Sequence, residues 1–377
     1  MRITAIMNRF MRAERQNWHF VEVQTDAGLS GVGEASLEGR ELTVAAAVDE
    51  LARYLVGEDP GPIEHHWQRL YRHGFWRGGV VLNSAISAID QALWDIKGKT
   101  LGVPVYELLG GPTRRRVRLY THTRGPSPEA AADHACQMVE LGFTALKTGP
   151  RMVGEWVDER SMIRSLTQTL ERVRLAVGPE IDLMVDNHGR MSPAYAIEMM
   201  HALAPYNLLF FEEPVPPDNP KALAKVAAVK ANVPLATGER LFDKWAYREL
   251  LEGQMVDVVQ PDICHAGGIT ELKKIAAMAE TSYVKVAPHN PNGPIATAAS
   301  VHLAASISNF LILETALNQP HRDISQRVPL KIEKGWAELP TAPGLGIELD
   351  WEAIADYPYA PRDYPAAYYA DGSVADI

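Results

Sequence analysis

The feature of this chain that most restricts its fold is a regular succession of short apolar segments, each ending in a charged residue. Between Asp186 and Glu314 these segments end at intervals of 23 to 27 residues, and amphipathic segments with helical spacing lie between them. Short strands alternating with helices of this length are typical of a parallel sheet, and this many units favour closure into a barrel. We therefore predict a TIM-like, modified (β/α) barrel. Its predicted strands end at Lys147, Asp186, Glu212, Glu239, Asp262, His289 and Glu314.

The segments on either side of the predicted barrel have a different pattern. Residues 1–115 begin with alternating apolar residues around an Asp26-Ala27-Gly28 turn and continue with helical spacing, which predicts a small α+β capping domain. The barrel is predicted to occupy residues 116–325. The regular pattern fades after that, and we expect residues 326–377 to pack back on the capping domain and complete it.

Three of the strand ends carry carboxylates at nearly equal spacing, in the strings VDNHGR, FFEEP and TGER. In a (β/α) barrel the C-terminal ends of all strands meet at one mouth, so Asp186, Glu212 and Glu239 are expected to converge there. Carboxylate oxygens are the ligands that hard divalent cations such as Mg²⁺ prefer. The sequence therefore predicts a magnesium site formed by these three residues.

Two histidines accompany the predicted metal site. Asp262 and His289 end adjacent predicted strands, where the carboxylate would fix the tautomer of the imidazole and raise its basicity. His188 follows Asp186 by two residues and would emerge from the same strand end. This combination is suited to removing a proton next to a substrate carboxylate and protonating a leaving group. His122, at the end of the first barrel strand, has no recognisable partner and is assigned no role.

Composition restricts the partners. The net charge is −10 and the pI is near 5.7, with no basic stripe, so nucleic acid is not expected as a ligand. The two cysteines cannot form a disulfide framework, which favours a reducing compartment. No apolar run approaches the length of a membrane span or forms the core of a signal peptide. We expect a cytoplasmic enzyme that acts on a small molecule without contacting a membrane.

The ordered strand ends resemble the enolase superfamily, in its mandelate-racemase-like branch. The capping-domain turn and the segments IDQALWDIKGK and GLGIELD are similar as well, so the resemblance extends over nearly the whole chain. The strings VDNHGR, QPDICHAGGITE and APHNPNGPIA are most similar to bacterial dehydratases that act on D-galactonate. The resemblance implies that His289 is the general base, His188 the general acid, and Glu314 a hydrogen-bond partner of the enediolate.

The same resemblance separates elimination from racemisation. Racemases of the branch have two lysines, one residue apart, at the end of the second barrel strand, and the second is a base on the opposite face of the substrate. In this chain the string is ALKTGP, with Lys147 present and Gly149 at the second position. We therefore expect an Mg²⁺-dependent dehydratase that converts an aldonate to a 2-keto-3-deoxy acid by syn or anti elimination. A racemase or epimerase of the same fold and a catalytically silent relative are the alternatives.

Substrate choice is the least constrained part of the sequence. D-Galactonate is the first candidate, and D-gluconate, D-mannonate or another aldonate remain alternatives. The resemblance places capping loops at residues 12–18 and 74–79, so Trp18, Trp76 and Arg77, together with Lys147, are the candidate substrate-binding residues. Packing of the aromatic loop against the barrel is an equal interpretation for Trp76 and Arg77. We also expect a homo-oligomer.

Overall fold

The computed structural model describes residues 1–14, 16–72, 74–152, 154–229, 231–316, 320–364 and 366–376. The chain begins with an antiparallel sheet of three strands, β1 (Ile3–Ala13), β2 (Gln16–Thr25) and β3 (Ser30–Glu34). Four helices follow: α1 (Glu41–Leu55), α2 (Ile63–Arg72), α3 (Val80–Leu101) and α4 (Val105–Leu108). The predicted turn connects β2 to β3, and Gly28 has a φ of +74°, a conformation that favours glycine.

One face of the capping sheet packs on its helices. An apolar cluster that includes Val21, Val23, Ile89 and Ile96 joins the strands to α1, α2 and α3. Strand β3 crosses α3 so closely that a Cβ at Gly33 would overlap the backbone of Ala88. The glycine is therefore required by the close approach of the two backbones.

The rest of the described chain is dominated by a closed ring of eight parallel strands. Each strand pairs with the next, β11 pairs with β4, and a bridge between Val286 and Phe310 closes the last gap. The strands are β4 (Arg116–His122), β5 (Ala145–Thr148), β6 (Asp182–Asp186), β7 (Leu208–Glu212), β8 (Leu235–Thr237), β9 (Val258–Val259), β10 (Lys285–Val286) and β11 (Leu313–Glu314).

Helices connect successive strands of this ring. They are α5 (Pro128–Glu140), α6 (Glu159–Val177), α7 (Pro193–Leu203), α8 (Pro220–Ala227), α9 (Lys244–Glu252), α10 (Gly268–Thr281) and α11 (Pro294–Ser306). Their inner faces and the outward-facing strand residues form a large apolar core. The predicted fold class, a modified (β/α) barrel with an α+β capping domain, is confirmed. No helix in the described part of the chain has both the length and the apolar character that a membrane span requires.

A separate apolar layer fills the barrel interior, with one residue contributed at each strand. Its members are Tyr120, Ala145, Met184, Phe210, Ala236, Val258, Ala287 and Ile312. Side chains alternate across a strand, so the residue two positions further along also faces the interior, one layer nearer the C-terminal mouth. These second positions are His122, Lys147, Asp186, Glu212, Gly238, Gln260, His289 and Glu314. Strand alternation alone therefore gathers most of the predicted polar residues into one ring.

After the barrel the chain forms short elements and returns to the cap. They are α12 (Pro320–Ile324), β12 (Gln326–Val328), β13 (Ile332–Glu333), β14 (Trp336–Glu338), β15 (Glu348–Leu349), α13 (Trp351–Ala355), β16 (Ala367–Tyr368) and β17 (Val374–Ala375). The Arg12 amide donates to the Tyr357 carbonyl, and Asn17 exchanges two hydrogen bonds with Ala360. The last part of the chain thus contacts the β1–β2 hairpin directly.

Candidate active site at the barrel mouth

Three carboxylates meet at the C-terminal mouth of the barrel. Asp186 and Glu212 end neighbouring strands and are paired in register, and Glu239 lies two residues beyond the end of β8. One oxygen of each lies within 4.8 Å of the others. Glu212 Oε1 and Glu239 Oε2 are buried and have no hydrogen-bond partner within the described residues.

The electrostatics of this trio require a counter-charge. Burial, reinforced by the neighbouring Asp186, raises the pKa of Glu212 well above its ordinary value and raises the pKa of Glu239 to about 7. Burial opposes ionisation of Asp186 too, but Lys147 and His188 hold its pKa below the usual range. Buried carboxylates with unpaired oxygens are costly unless a cation pairs with them. The donor set therefore fits a hard divalent cation.

Lys147 lies among the carboxylates of the same ring. Its Nζ is 2.9 Å from Glu212 Oε2, 3.0 Å from Glu314 Oε1 and 3.5 Å from Asp186 Oδ2, and the residue is only 1% exposed. Burial would lower the pKa of Lys147, but Glu212 and Glu314 raise it well above the ordinary value. The residue is therefore a permanent cation that holds the acidic groups together, and its contact with substrate stays a prediction.

The predicted pair of Asp262 and His289 is formed. His289 Nδ1 donates to Asp262 Oδ2 over 2.7 Å, and the Cys264 amide donates to Asp262 Oδ1 over 2.7 Å. This leaves Nε2 of the imidazole facing the mouth, 3.6 Å from Glu239 and 3.9 Å from Glu314. Burial disfavours the imidazolium, but the surrounding carboxylates, with Glu239 first, raise the pKa of His289 well above its usual value. Nε2 is therefore the ring nitrogen that faces the acidic groups of the mouth.

His188 lies on the other side of the mouth. Its strand is β6 and that of His289 is β10, so the two are four places apart in the ring of eight. The residue has a φ of +51°, which the short bond from its amide to Asp186 Oδ1, 2.9 Å, helps to hold. Its imidazole is about half exposed, with Nε2 2.9 Å from Asp186 Oδ2.

Arg190, to which the sequence analysis assigned no role, sets the tautomer of His188. Its Nη2 donates to His188 Nδ1 over 3.1 Å. A guanidinium has only donors, so Nδ1 must be the acceptor and the imidazole proton resides on Nε2. The Nε2–H edge of the ring thus faces the carboxylates and the mouth.

Glu314 connects two further residues to the site. Its Oε1 accepts from His122 Nε2 over 2.9 Å, and its Oε2 accepts from the Asn290 amide over 3.0 Å. His122 was given no role from sequence, although it lies two residues after Tyr120 in the interior layer. The period-two spacing from a barrel-filling aromatic residue was the signal that pointed to it.

Gln260 was also missed by the sequence analysis. It lies two residues beyond Val258 of the interior layer and is fully buried, and neither its Oε1 nor its Nε2 has a partner within the described residues. It lies on the strand between those that carry Glu239 and His289. The string QPD did not indicate a role for Gln260, because glutamine carries no charge and belongs to no motif with a recognisable spacing here.

The predicted substrate-binding residues of the cap differ in their exposure. Trp18 is fully buried beside Phe20 in the large core, with ring centroids 6.2 Å apart, whereas Trp76 is 84% exposed. The Arg77 guanidinium lies 5.6 Å from the ring of Tyr71. Among the described residues no hydrogen bond, ion pair or ring contact connects these three with the acidic trio, and their role stays a prediction.

The first capping loop nevertheless reaches the mouth. Gln16 Nε2 donates to the carbonyl of Pro291, two residues beyond His289, over 3.0 Å. Arg15, within the predicted loop of residues 12–18, lies outside the described residues. The hairpin is therefore positioned close to the segment that follows His289, although the contact is made by a residue that was not a candidate from the sequence.

Comparison with known proteins assigns the same two regions to known families. Residues 5–110 match the N-terminal domain of the mandelate racemase/muconate lactonizing enzymes, and residues 130–353 match the enolase C-terminal domain-like family. A D-galactonate dehydratase of Ralstonia nicotianae is 41% identical over 371 residues, which cover 95% of this chain and 96% of that protein.

Solved structures agree with these matches. An enolase from Agrobacterium radiobacter, with bound Na and L-malate, superposes with a TM-score of 0.94 at 33% identity and covers 100% of both chains. A mandelate racemase/muconate lactonizing enzyme from Jannaschia sp. has a TM-score of 0.90 at 34% identity, covering 96% of this chain and 99% of that one. Sequence and structure thus give the same assignment along the whole chain.

Proposed function

The chain belongs to the enolase superfamily, in its mandelate racemase/muconate lactonizing branch, and from this premise we propose that it converts D-galactonate to a 2-keto-3-deoxy acid with the help of Mg²⁺. It is an acid-sugar dehydratase and hence a hydro-lyase. The observation that carries the proposal is the position of His289 and His188 just beyond the ends of opposite strands of the ring, at the mouth that also holds the carboxylate trio. The Ralstonia relative supports the choice of substrate.

Asp186, Glu212 and Glu239 would hold the metal. When bound there, Mg²⁺ stabilises the negative charge that develops on a substrate carboxylate as the neighbouring carbon loses its proton. L-Malate, bound in the Agrobacterium structure, is a 2-hydroxy acid and thus has the same reacting end as an aldonate. Lys147 would contribute a fixed positive charge beside the trio.

His289 acts as the base in this proposal. Asp262 holds the Nδ1 proton, so Nε2 is the ring nitrogen that takes the proton from C2 of the aldonate. The C2–H electrons then form the C2–C3 double bond of an enol. A positioned base of this kind contributes about 10²–10⁴-fold to the rate.

His188 acts as the acid. In the imidazolium form, which requires that Arg190 release Nδ1, His188 delivers its Nε2 proton to the C3 hydroxyl while the C3–O bond breaks and water departs, and the neutral imidazole that remains can again accept from Arg190. Because the two histidines lie across the ring from each other, the proton and the hydroxyl leave from opposite faces, so we propose anti elimination. The enol then takes a proton at C3 and becomes the C2 ketone.

A racemase is disfavoured by the strand that carries Lys147. A Cβ at Gly149 would lie 2.5 Å from the Asp186 carbonyl oxygen, so no side chain fits at the position of the second lysine. Lys147 itself is committed to three carboxylates and stays protonated. The proposed enzyme thus has a base on one face only.

Stereochemistry tests this point. Offered D-galactonate and its C2 epimer D-talonate, the enzyme should dehydrate one and leave the other untouched, without interconverting them. Interconversion followed by NMR in deuterated solvent would identify a second base and favour the racemase.

The proposed function itself is tested with an aldonate library. Purified protein is incubated with Mg²⁺ and each aldonate, and 2-keto acid is detected by semicarbazone absorbance, with His289→Asn as the control. D-Galactonate should be turned over fastest. Faster turnover of D-gluconate or D-mannonate would change the substrate, exchange of the C2 hydrogen alone would favour a racemase, and no reaction with any aldonate would favour a catalytically silent relative.

A further inference from the structure

A buried arginine outside the barrel strands is connected by hydrogen bonds both to the Asp262–His289 pair and to Glu314. Arg322 lies on α12, after the last barrel strand, and is 6% exposed. Its Nη2 donates to the Asn292 carbonyl over 2.8 Å and its Nη1 donates to Thr297 Oγ1 over 2.7 Å. Asn292 precedes α11 and Thr297 lies in its first turn, so both follow His289 closely in the chain.

The first acceptor leads to the base. Asn292 Nδ2 donates to Asp262 Oδ2 over 2.9 Å, the same oxygen that accepts from His289 Nδ1 over 2.7 Å. Together with the Cys264 amide on Oδ1, this bond fixes the plane of the Asp262 carboxylate. Holding the Asn292 backbone in place therefore controls the direction in which His289 points.

The second acceptor leads to Glu314. Thr297 Oγ1 accepts from Asn290 Nδ2 over 2.9 Å, while the Asn290 amide donates to Glu314 Oε2 over 3.0 Å. Asn290 Nδ2 also donates to the Glu314 carbonyl over 3.0 Å. The Arg322 guanidinium is thus connected to Glu314 through Thr297 and to the Asp262–His289 pair through Asn292.

The hydrogen bonds around Thr297 leave little freedom for rearrangement. Its hydroxyl donates its single proton to the Gly293 carbonyl over 3.0 Å, so both lone pairs are available to accept, and Arg322 and Asn290 occupy them. A charged group is expensive to bury, and the nearby Glu34 carboxylate is itself occupied by the amides of Gly293 and Ala296. The free-energy cost of burying this guanidinium is explained if its two Nη groups must hold two acceptors at once, which an apolar side chain cannot do.

We propose that Arg322 is a positioning residue that holds the His289–Asp262 pair and Glu314 in register through Asn292 and Thr297. This proposal rests on the proposed role of His289 as the base. The planar fork is essential to it, because two acceptors in fixed directions must be reached at once. A lysine would keep the charge but would hold only one of the two branches well.

The test compares Arg322→Met and Arg322→Lys with a matched control, Arg114→Met, because the Arg114 guanidinium bonds to the opposite end of α11. Arg114 is also partly buried and donates to the carbonyls of Ala304 and Ile307 near the C-terminus of α11, far from the base. With Mg²⁺ and substrate present, Arg322→Met should lower kcat and the exchange of the C2 hydrogen with solvent by about 10–100-fold, with KM nearly unchanged. Arg322→Lys should recover part of this loss. Arg114→Met should lower the unfolding temperature while leaving kcat at the wild-type level.

A branch-specific variant covers the case in which Arg322→Met fails to fold. Thr297→Val is close to isosteric and removes only the branch to Glu314, so its loss in kcat should be smaller than that of Arg322→Lys and not additive with it. Additive losses would mean that Arg322 and Thr297 act independently. The proposal would be overturned by additive losses, by an unchanged kcat in folded Arg322→Lys, or by a change confined to KM.

A measurement without substrate separates this proposal from the proposed function. In protein labelled with ¹⁵N-histidine, the Nδ1–H of His289 gives a downfield proton signal, assigned by its loss in His289→Asn. Arg322→Lys should shift or broaden that signal, and Arg114→Met should not. If no aldonate reacts but the signal still responds to Arg322, the reaction has been misassigned and the positioning role stands. An unaffected signal in an active enzyme would overturn the positioning role alone.

Discussion

The barrel mouth and the seam between the cap and the barrel both bury polar groups, but they satisfy them differently. At the seam, two buried neutral side chains have partners of matching kind. Gln91 on α3 donates to the carbonyls of Glu34 and Ile263 and accepts from the Glu34 amide, and His302 on α11 accepts from the Tyr106 amide and donates to the Leu345 carbonyl. At the mouth, Glu212, Glu239 and Gln260 retain buried atoms without a partner in the part of the chain that the structure describes.

The difference shows where stability is sacrificed for function. Matched neutral groups offset their own desolvation and fix the relative position of two structural units. Unmatched like charges do the opposite, and they persist where a cation and a substrate supply the missing partners. Substitutions at the mouth should therefore abolish chemistry at little cost in stability, whereas substitutions at the seam should do the reverse.

The largest effect is expected at the carboxylate trio. Glu212→Gln or Glu239→Gln should lower kcat/KM by about 10³-fold or more, as removal of Mg²⁺ with a chelator should, because charge stabilisation at the reacting carbon is lost. The unfolding temperature of the metal-free protein should stay the same or rise, since one buried like charge is removed. Calorimetry with and without chelator measures this.

A second buried glutamate provides the control for this prediction. Glu271 on α10 is equally inaccessible but is paired with Lys244 at 2.8 Å, outside the ring of strand ends. Glu271→Gln should lower stability and preserve activity. Full activity in Glu212→Gln, or a collapse of its stability, would remove the contrast between mouth and seam.

The two histidines should lose different steps. His289→Asn is expected to lower both dehydration and C2 hydrogen exchange by about 10²–10⁴-fold. His188→Asn should lose dehydration of the aldonate but keep release of fluoride from a 3-deoxy-3-fluoro analogue, because fluoride departs without a proton. Proton NMR for exchange and an ion-selective electrode for fluoride follow the two steps. Normal dehydration by His188→Asn would mean that the acid has been misassigned.

Much of the mouth was predictable because strand ends impose a simple rule. Asp186, Glu212, Glu239, Asp262 and His289 each end an apolar run, and a parallel barrel leaves one place for such ends to meet. The tautomer lock by Arg190 and the pairing of His122 with Glu314 depend on side-chain rotamers that no spacing rule encodes. The aromatic loop of the cap was the least predictable region, since exposed loops have no periodicity. The domain limits at residues 115 and 325 stay predictions.

At the seam, the free energy of unfolding should depend on pH because His302 is buried in its neutral form. Burial lowers the pKa of His302 to about 4, against an ordinary value of 6.5. Between these values the unfolded chain binds a proton that the folded chain does not, so the stabilising contribution is complete above pH 6.5 and is lost as pH falls toward 4. From pH 7 to pH 5 this residue alone should remove about 2 kcal/mol from the free energy of unfolding.

Urea unfolding at the two pH values measures the loss. His302→Gln cannot take up the proton, so its stability should be lower at pH 7 but should fall less between pH 7 and pH 5 than that of the wild type. Its kcat at pH 7 should be unchanged, as expected for a seam residue. An identical pH dependence in both proteins would show that His302 is not held neutral in the folded chain.

The smallest effect is expected at the aromatic loop of the cap, which belongs to neither region. Phe75 and Trp76 are 88% and 84% exposed, and Gly78 and Gly79 next to them have φ values near +80°, so little packing restrains the loop. If the loop contacts the polyol end of the substrate, Trp76→Ala should raise KM by up to about 10-fold, the scale of one pocket contact, and change the preference between D-galactonate and D-gluconate. Exchange of the C2 hydrogen at saturating substrate should not change, because the mouth is intact.

Tyr283, 95% exposed ahead of β10 at the opposite end of the barrel, is the matched control, and Tyr283→Ala should leave both KM and the substrate preference unaltered. If Trp76→Ala behaves like that control, the loop lies outside the pocket, whereas a loss of kcat comparable to that of His289→Asn would mean that the chemistry extends into the cap.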